Sequence, residues 1–245
     1  MRAAGQQKSL DWRLRPPKLE RWQAVPTGCK SFDGLVGGGL PVGLTTLYGN
    51  PGSGKTTLAL HLAMHDRGRV LYVATERIEA RLYQLWVDGK IEAANYAKYR
   101  PKHDRFLKEI VELCKQYGKE IVIVDSLTAV FNWEAEIRGP ISDFAREVSA
   151  EGIAVIGISQ ARGVGHIAGG LGVLHASTLV LRFSRILIDA KWLSQRYGRP
   201  EGSYVWTVDV EKDANGVAMQ GVQYLYSWDP EPLTGEPVFR RVAEV

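Results

Sequence analysis

Apolar and polar positions change over in blocks along the chain. Leu44 to Tyr48 is a short apolar run that enters Gly49–Thr57, and Leu58 to Met64 continues with helical character. Arg69 to Thr75 reads as a strand ending on Glu76. Residues 78 to 97 read as a helix, with Ile78, Leu82, Leu85, Trp86 and Ile91 spaced by roughly three and four. A second amphipathic helix is predicted from about His103 to Tyr117, with Gly118 placed to stop it. Ile121 to Val124 is an uninterrupted apolar run closed by Asp125, the pattern of a parallel strand covered on both faces. A short segment to Pro140 and a helix to Ala150 lead to a further central strand, Ile153 to Ile158, which ends at Ser159 and Gln160. Residues 161–172 are glycine-rich and read as a mobile loop. Strand-like runs follow at 177–183, 204–210, 220–227 and 238–242. Helix–strand alternation giving way to strand after strand predicts an α/β fold, with a mostly parallel central sheet flanked by helices and antiparallel strands toward the C-terminus.

Composition narrows the class without naming a partner. The 245 residues are 45% hydrophobic and 24% charged, ordinary for a soluble globular chain, and no apolar run reaches the ~20 residues needed to cross a bilayer. The basic N-terminus has no apolar segment of the secretory kind. Residues 1–26 are polar and carry Pro16-Pro17, so they read as a basic arm or linker ahead of one domain at 27–245. Cys29 and Cys114 lack metal or redox spacing and read as reduced packing residues, which suits the cytoplasm. His61 and His65 are four apart on one predicted helix, with no third ligand in view. A net charge of +4 permits an anionic partner but is too small to specify one.

The chemistry concentrates in Gly49, Asn50, Pro51, Gly52, Ser53, Gly54, Lys55, Thr56 and Thr57. This is G-x-x-x-x-G-K-[ST] between a strand and a helix, the context a phosphate-binding loop requires. Its backbone N–H groups and the following helix start form a concavity for phosphates. Lys55 reaches the β- and γ-phosphates, and Thr56 offers its hydroxyl to Mg²⁺. Asp125 stands where a second Mg²⁺-binding residue belongs, or else caps the next segment. Glu76, if its strand neighbours the loop strand, emerges at the carboxyl edge of the sheet, where it orients a water for attack; otherwise it begins a helix. Gln160 ends a strand on the same edge, positioned either to sense the γ-phosphate and order the 161–172 loop with Arg162 and His166, or as a plain strand-end residue. Trp133, with Arg138 nearby, is the candidate base-stacking residue.

Together these motifs resemble the RecA superfamily, specifically the archaeal RadA/RadB recombinases and the related KaiC-like ATPases. The carrying stretches are TGCKSFDGLVGGGLPVG (27–43), YGNPGSGKTTLALHLA (48–63), LYVATE (71–76), IVIVDSLTAVF (121–131), ISQ (158–160) and GGLGVLHASTLVLRF (169–183), with DPEPLTGEPVFRR (229–241) similar to the terminal segment of RadA. The resemblance implies a RecA-like core that takes ATP and Mg²⁺. It gives Glu76 the activation of water, Asp125 the Walker B position and Gln160 the γ-phosphate contact. It puts DNA-binding loop L2 at 161–172 and loop L1 at 131–140. It further implies a homo-oligomer with ATP at the subunit interface, capped by Asp229 and reached in trans by Lys212.

The chain departs from RadA in having about 26 residues ahead of the core, no clear F-x-x-A motif in that arm, and RIEARLYQL (77–85) after Glu76. The expectation is an ATP-hydrolysing, DNA-binding paralogue in recombination or repair, accessory to a RadA-type recombinase and acting on single-stranded DNA. Two other readings stay open: a KaiC-like regulatory ATPase working through protein partners, and a nucleotide-binding interaction module with negligible turnover.

Overall fold

The computed structural model describes residues 23–75, 80–96, 103–131, 138–162, 166–167, 170–216, 218, 220–229 and 235–242. In chain order the elements are β1 (Ala24–Val25), α1 (Lys30–Leu35), β2 (Leu40–Pro41), β3 (Gly43–Gly49), α2 (Lys55–His65), β4 (Val70–Ala74), α3 (Ala80–Val87) and β5 (Ala93–Asn95). There follow α4 (His103–Tyr117), β6 (Ile121–Asp125), α5 (Leu127–Phe131), α6 (Arg138–Ala150), β7 (Ala154–Arg162), β8 (His166–Ile167) and α7 (Gly170–Ala176). The last are β9 (Leu179–Leu187), α8 (Lys191–Tyr197), β10 (Tyr204–Asp213), β11 (Gln223–Asp229) and β12 (Glu236–Arg241).

One sheet organises the molecule, in the order β12-β11-β10-β9-β3-β7-β6-β4-β5 with β8 added to β7. From β5 across to β9 neighbouring strands are parallel. From β9 to β12 they are antiparallel. The α/β architecture expected from the block pattern is therefore present, including the antiparallel strands near the C-terminus. Buried strands alternate their side chains between two helical layers. Ile121 and Ile123 of β6 join Phe32, Leu58 and Leu62 of α1 and α2, whereas Val122 and Val124 join Phe106, Ile110 and Phe144 of α4 and α6. Each such aromatic or aliphatic side chain contributes roughly 1.5–3 kcal/mol on burial. A smaller cluster packs Leu193 and Tyr197 of α8 against Ile188, Val205 and Val242. Among the described residues no helix is long and apolar enough to cross a membrane.

Four local expectations change. The helix predicted over 78–97 is described only as α3, because Gly89 turns the chain at φ 64° and β5 then pairs with β4 through Tyr72–Ala93. The stretch read as a loop at 161–172 holds ordered structure: Ala161 and Arg162 pair with Ile167 and His166, and α7 begins at Gly170. Buried Ile167 and Val173 anchor it to the α4–α6 layer. The strand β4 does not neighbour β3, since β7 and β6 lie between them. Finally, β1 lies within the stretch read as an arm and pairs Ala24 with Pro41 and Val25 with Leu40.

Candidate functional site

The loop between β3 and α2 is built on glycine conformations. Gly49, Gly52 and Gly54 have φ of 152°, 75° and 95°. A side chain at Gly49 would fall 2.0 Å from the Phe183 carbonyl oxygen, and one at Gly54 would fall 2.6 Å from the Tyr226 ring. Only glycine meets both demands, a left-handed backbone and no Cβ. Gly54 is the N-cap of α2 and offers no side-chain cap, so the first helical N–H groups are left for a ligand. Lys55 turns back into the loop, where its ammonium donates to Gly49 O at 2.8 Å, Asn50 O at 2.9 Å and Ser53 Oγ at 3.2 Å. Burial pushes Lys55 down to about 8, and the nearby Asp125 carboxylate opposes that shift. Pro51 and Gly52 are exposed on the outer turn, Ser53 is buried, and Thr57 is half-buried on the first helical turn.

The carboxyl ends of β6 and β7 bring two further candidates to this loop. Thr56 Oγ1 donates to Asp125 Oδ2 at 3.0 Å, joining residues 69 apart in sequence. Tyr72, buried in β4, donates its hydroxyl to the same oxygen at 2.6 Å. Nothing in the apolar run Val70–Ala74 marks its one phenol as the partner of a carboxylate 53 residues further on. The Asp125–Ser126 peptide is cis. Gln160 is exposed and opposite Gly49 in the β3–β7 register, and its N–H donates to Thr128 Oγ1 at 3.2 Å. Glu76 and Trp133 lie outside the described residues.

A second wall of the site comes from the antiparallel strands. Trp206 on β10 donates its indole N–H to Gly52 O at 3.1 Å. Tyr226 on β11 rests against Gly54 and packs edge-on to Trp228 at 5.8 Å. The Arg185 guanidinium covers the Tyr204 ring at 3.8 Å. A cavity of about 600 Å³ opens here, lined by Gly52, Gly54 and Thr57 on one side and Trp206, Tyr226 and Trp228 on the other. Aromatic faces beside a phosphate loop can take a flat ring by stacking, and the volume suits a small organic ligand. Nothing in the sequence links these aromatics to the loop, because their strands are far from it along the chain.

The remaining candidates take these places. Lys212 on β10 donates to the carbonyls of Leu174 at 2.6 Å and His175 at 3.3 Å, and to that of Ser177. It therefore covers the C-terminal end of α7, and burial lowers its pKa. Asp229 ends β11, exposed, one residue beyond Trp228. Arg162 and His166 face one another in the β7–β8 register, and Arg138 opens α6.

A family model described as "ATPase: KaiC" matches residues 25–87, which hold the loop and β4. The DNA repair and recombination protein RadB of Thermococcus onnurineus is 31% identical over 157 residues, covering 56% of this chain and 68% of the relative. The chain belongs to the RecA superfamily, as a RadA/RadB-like ATPase. A second RadB, from Archaeoglobus fulgidus, is 27% identical over 201 residues, with 70% of this chain and 91% of the relative aligned. Protein RecA of Synechocystis sp. is 27% identical over 233 residues, 86% of this chain but 65% of RecA.

Proposed function

We propose that the chain binds ATP with Mg²⁺ at the Gly49–Thr57 loop, hydrolyses it, and couples nucleotide state to DNA binding in recombination or repair. The observation that carries this reading is the Thr56–Asp125 contact at 3.0 Å beside a phosphate loop of left-handed glycines. Thr56 and Asp125 are the residues that would hold Mg²⁺, which when bound neutralises phosphate charge. Lys55 exchanges loop carbonyls for phosphate oxygens, and Trp206, Tyr226 and Trp228 shelter the base. In this reading Glu76 orients the attacking water, and Gln160 passes the state of the γ-phosphate to the β7–β8 hairpin. Arg162, His166, Trp133 and Arg138 then form the DNA surface. The protein works as a cytoplasmic homo-oligomer with Asp229 capping a neighbour's nucleotide, accessory to a RadA-type recombinase. The RadB relatives are named as DNA repair and recombination proteins, which supports this reading.

The test is ATPase activity with no DNA, with single-stranded DNA and with duplex DNA. Stimulation by single-stranded DNA supports the proposal. Retention of no DNA at low salt, where phosphate contacts are strongest, sinks the DNA part of it. The KaiC description of the matching family model favours a second reading, a regulatory ATPase acting through proteins. An ATP-dependent change of oligomer without any effect of DNA would select that reading. A Glu76→Gln variant that turns over as fast as wild type would remove the water-activating role.

A further inference from the structure

At the far end of α2 from the phosphate loop, three side chains from separate elements converge. Cys29 precedes α1, His61 lies on the inner face of α2, and Glu236 begins β12; their ligand atoms all lie within 4.8 Å of one another. Cys29 Sγ is 3.7 Å from Glu236 Oε2, and His61 Nε2 is 3.7 Å from the same oxygen. A tetrahedral zinc ion with Zn–S near 2.3 Å and Zn–N or Zn–O near 2.0–2.2 Å sets ligand atoms about 3.4–3.6 Å apart. Both spacings to Glu236 Oε2 are within a few tenths of an ångström of that value, and the third lies within 4.8 Å.

A second observation points into the same place. His61 is 6% exposed, and its Nε2 has no hydrogen-bond partner, a costly condition for a buried ring nitrogen. Its ring is held by its surroundings: Trp228 packs edge-on at 5.2 Å and His65 stacks at 5.8 Å. Cys29 is equally fixed. It is the N-cap of α1, yet its thiol does not cap the helix, and its N–H donates to Thr27 Oγ1 at 3.3 Å. Gly28 presses on His65, since a side chain there would come within 2.8 Å of that ring.

We infer that Cys29, His61 and Glu236 form a Zn²⁺ site, with a water in the fourth position. One thiolate, one imidazole and one carboxylate are a donor set of intermediate softness, which suits Zn²⁺ over Mg²⁺ or Ca²⁺. The two anionic ligands neutralise the ion, so no net charge is left half-buried. Glu236, at the exposed rim, gives the ion its way in. The ion ties α1, α2 and β12 together, and its binding energy adds to folding energy.

Metal analysis and cobalt spectroscopy on the full chain test the site. Wild type given an equivalent of Zn²⁺ and dialysed retains about one ion per chain, and Zn²⁺ raises its Tm. Co²⁺ in its place gives a near-ultraviolet thiolate-to-cobalt band. Cys29→Ser loses the band and the Tm response, and Cys114→Ala keeps both. Glu236→Gln, at an exposed position compatible with folding, weakens Co²⁺ binding at least ~10-fold. A wild type without the band or retained zinc overturns the inference and leaves a thiol hydrogen-bonded to a carboxylate. Unchanged Co²⁺ affinity in Glu236→Gln overturns it too, even if Cys29→Ser fails to fold.

Discussion

Lys55 is a site residue whose protonation the fold shifts. Its ordinary value is 10.5 and burial lowers it to about 8. Between those two values an unfolded chain holds a proton that the folded chain has released, so folding stability rises with pH across that window. Phosphate affinity runs the other way, because the ammonium that meets the phosphate is lost above about 8. Unfolding and nucleotide-binding titrations between about pH 7 and 10 should show these opposite trends, and Lys55→Met should flatten both. Tyr72 offers a second residue-scale test. Its hydroxyl fixes Asp125 Oδ2, so Tyr72→Phe should weaken Mg²⁺-dependent ATP binding about 10-fold, with little change when Mg²⁺ is left out. Lys55, Thr56 and Asp125 were legible in the sequence because a local motif and a strand end announce them. Tyr72 and Trp206 were not, since each acts through a contact that only the sheet creates.

At the scale of elements, Lys212 shows how a side chain can serve a neighbour within its own fold. Three carbonyls at the end of α7 accept from its ammonium, one by itself at 2.6 Å, in a place where the helix dipole favours a cation. Lys212→Ala should therefore cost about 1 kcal/mol in urea unfolding and speed hydrogen exchange along Gly170–Ala176. A Lys212 that acts solely in trans would leave the stability of the isolated chain unchanged. The 161–172 stretch teaches a related point. Its glycines suggested a loop, but Ile167 is buried, and Val173 just beyond the stretch packs into the same layer. The paired bases Arg162 and His166 lie on this anchored hairpin, next in line after Gln160.

For the whole molecule, the class of fold was readable and the order of strands was not. Apolar runs such as Ile121–Val124 identify buried parallel strands from their own composition, but carry no label for their neighbours. So whether β4 neighbours β3 stayed open in the sequence, and β7 and β6 in fact separate them. The same gap hid the meeting of Cys29, His61 and Glu236, whose chain positions show no metal spacing.

The clasp between α1 and β12 has a consequence for synthesis. Ser31 donates to the Pro237 carbonyl, Phe32 packs on Phe239 at 6.0 Å, and Cys29 meets Glu236. The helix α1 therefore waits on the ribosome for a strand made more than 200 residues later. Until then Phe32 lacks part of its cover, a situation that favours holding by chaperones over independent closure. Nascent chains stalled before residue 236 should be cut by protease near α1, and chains released with β12 should resist.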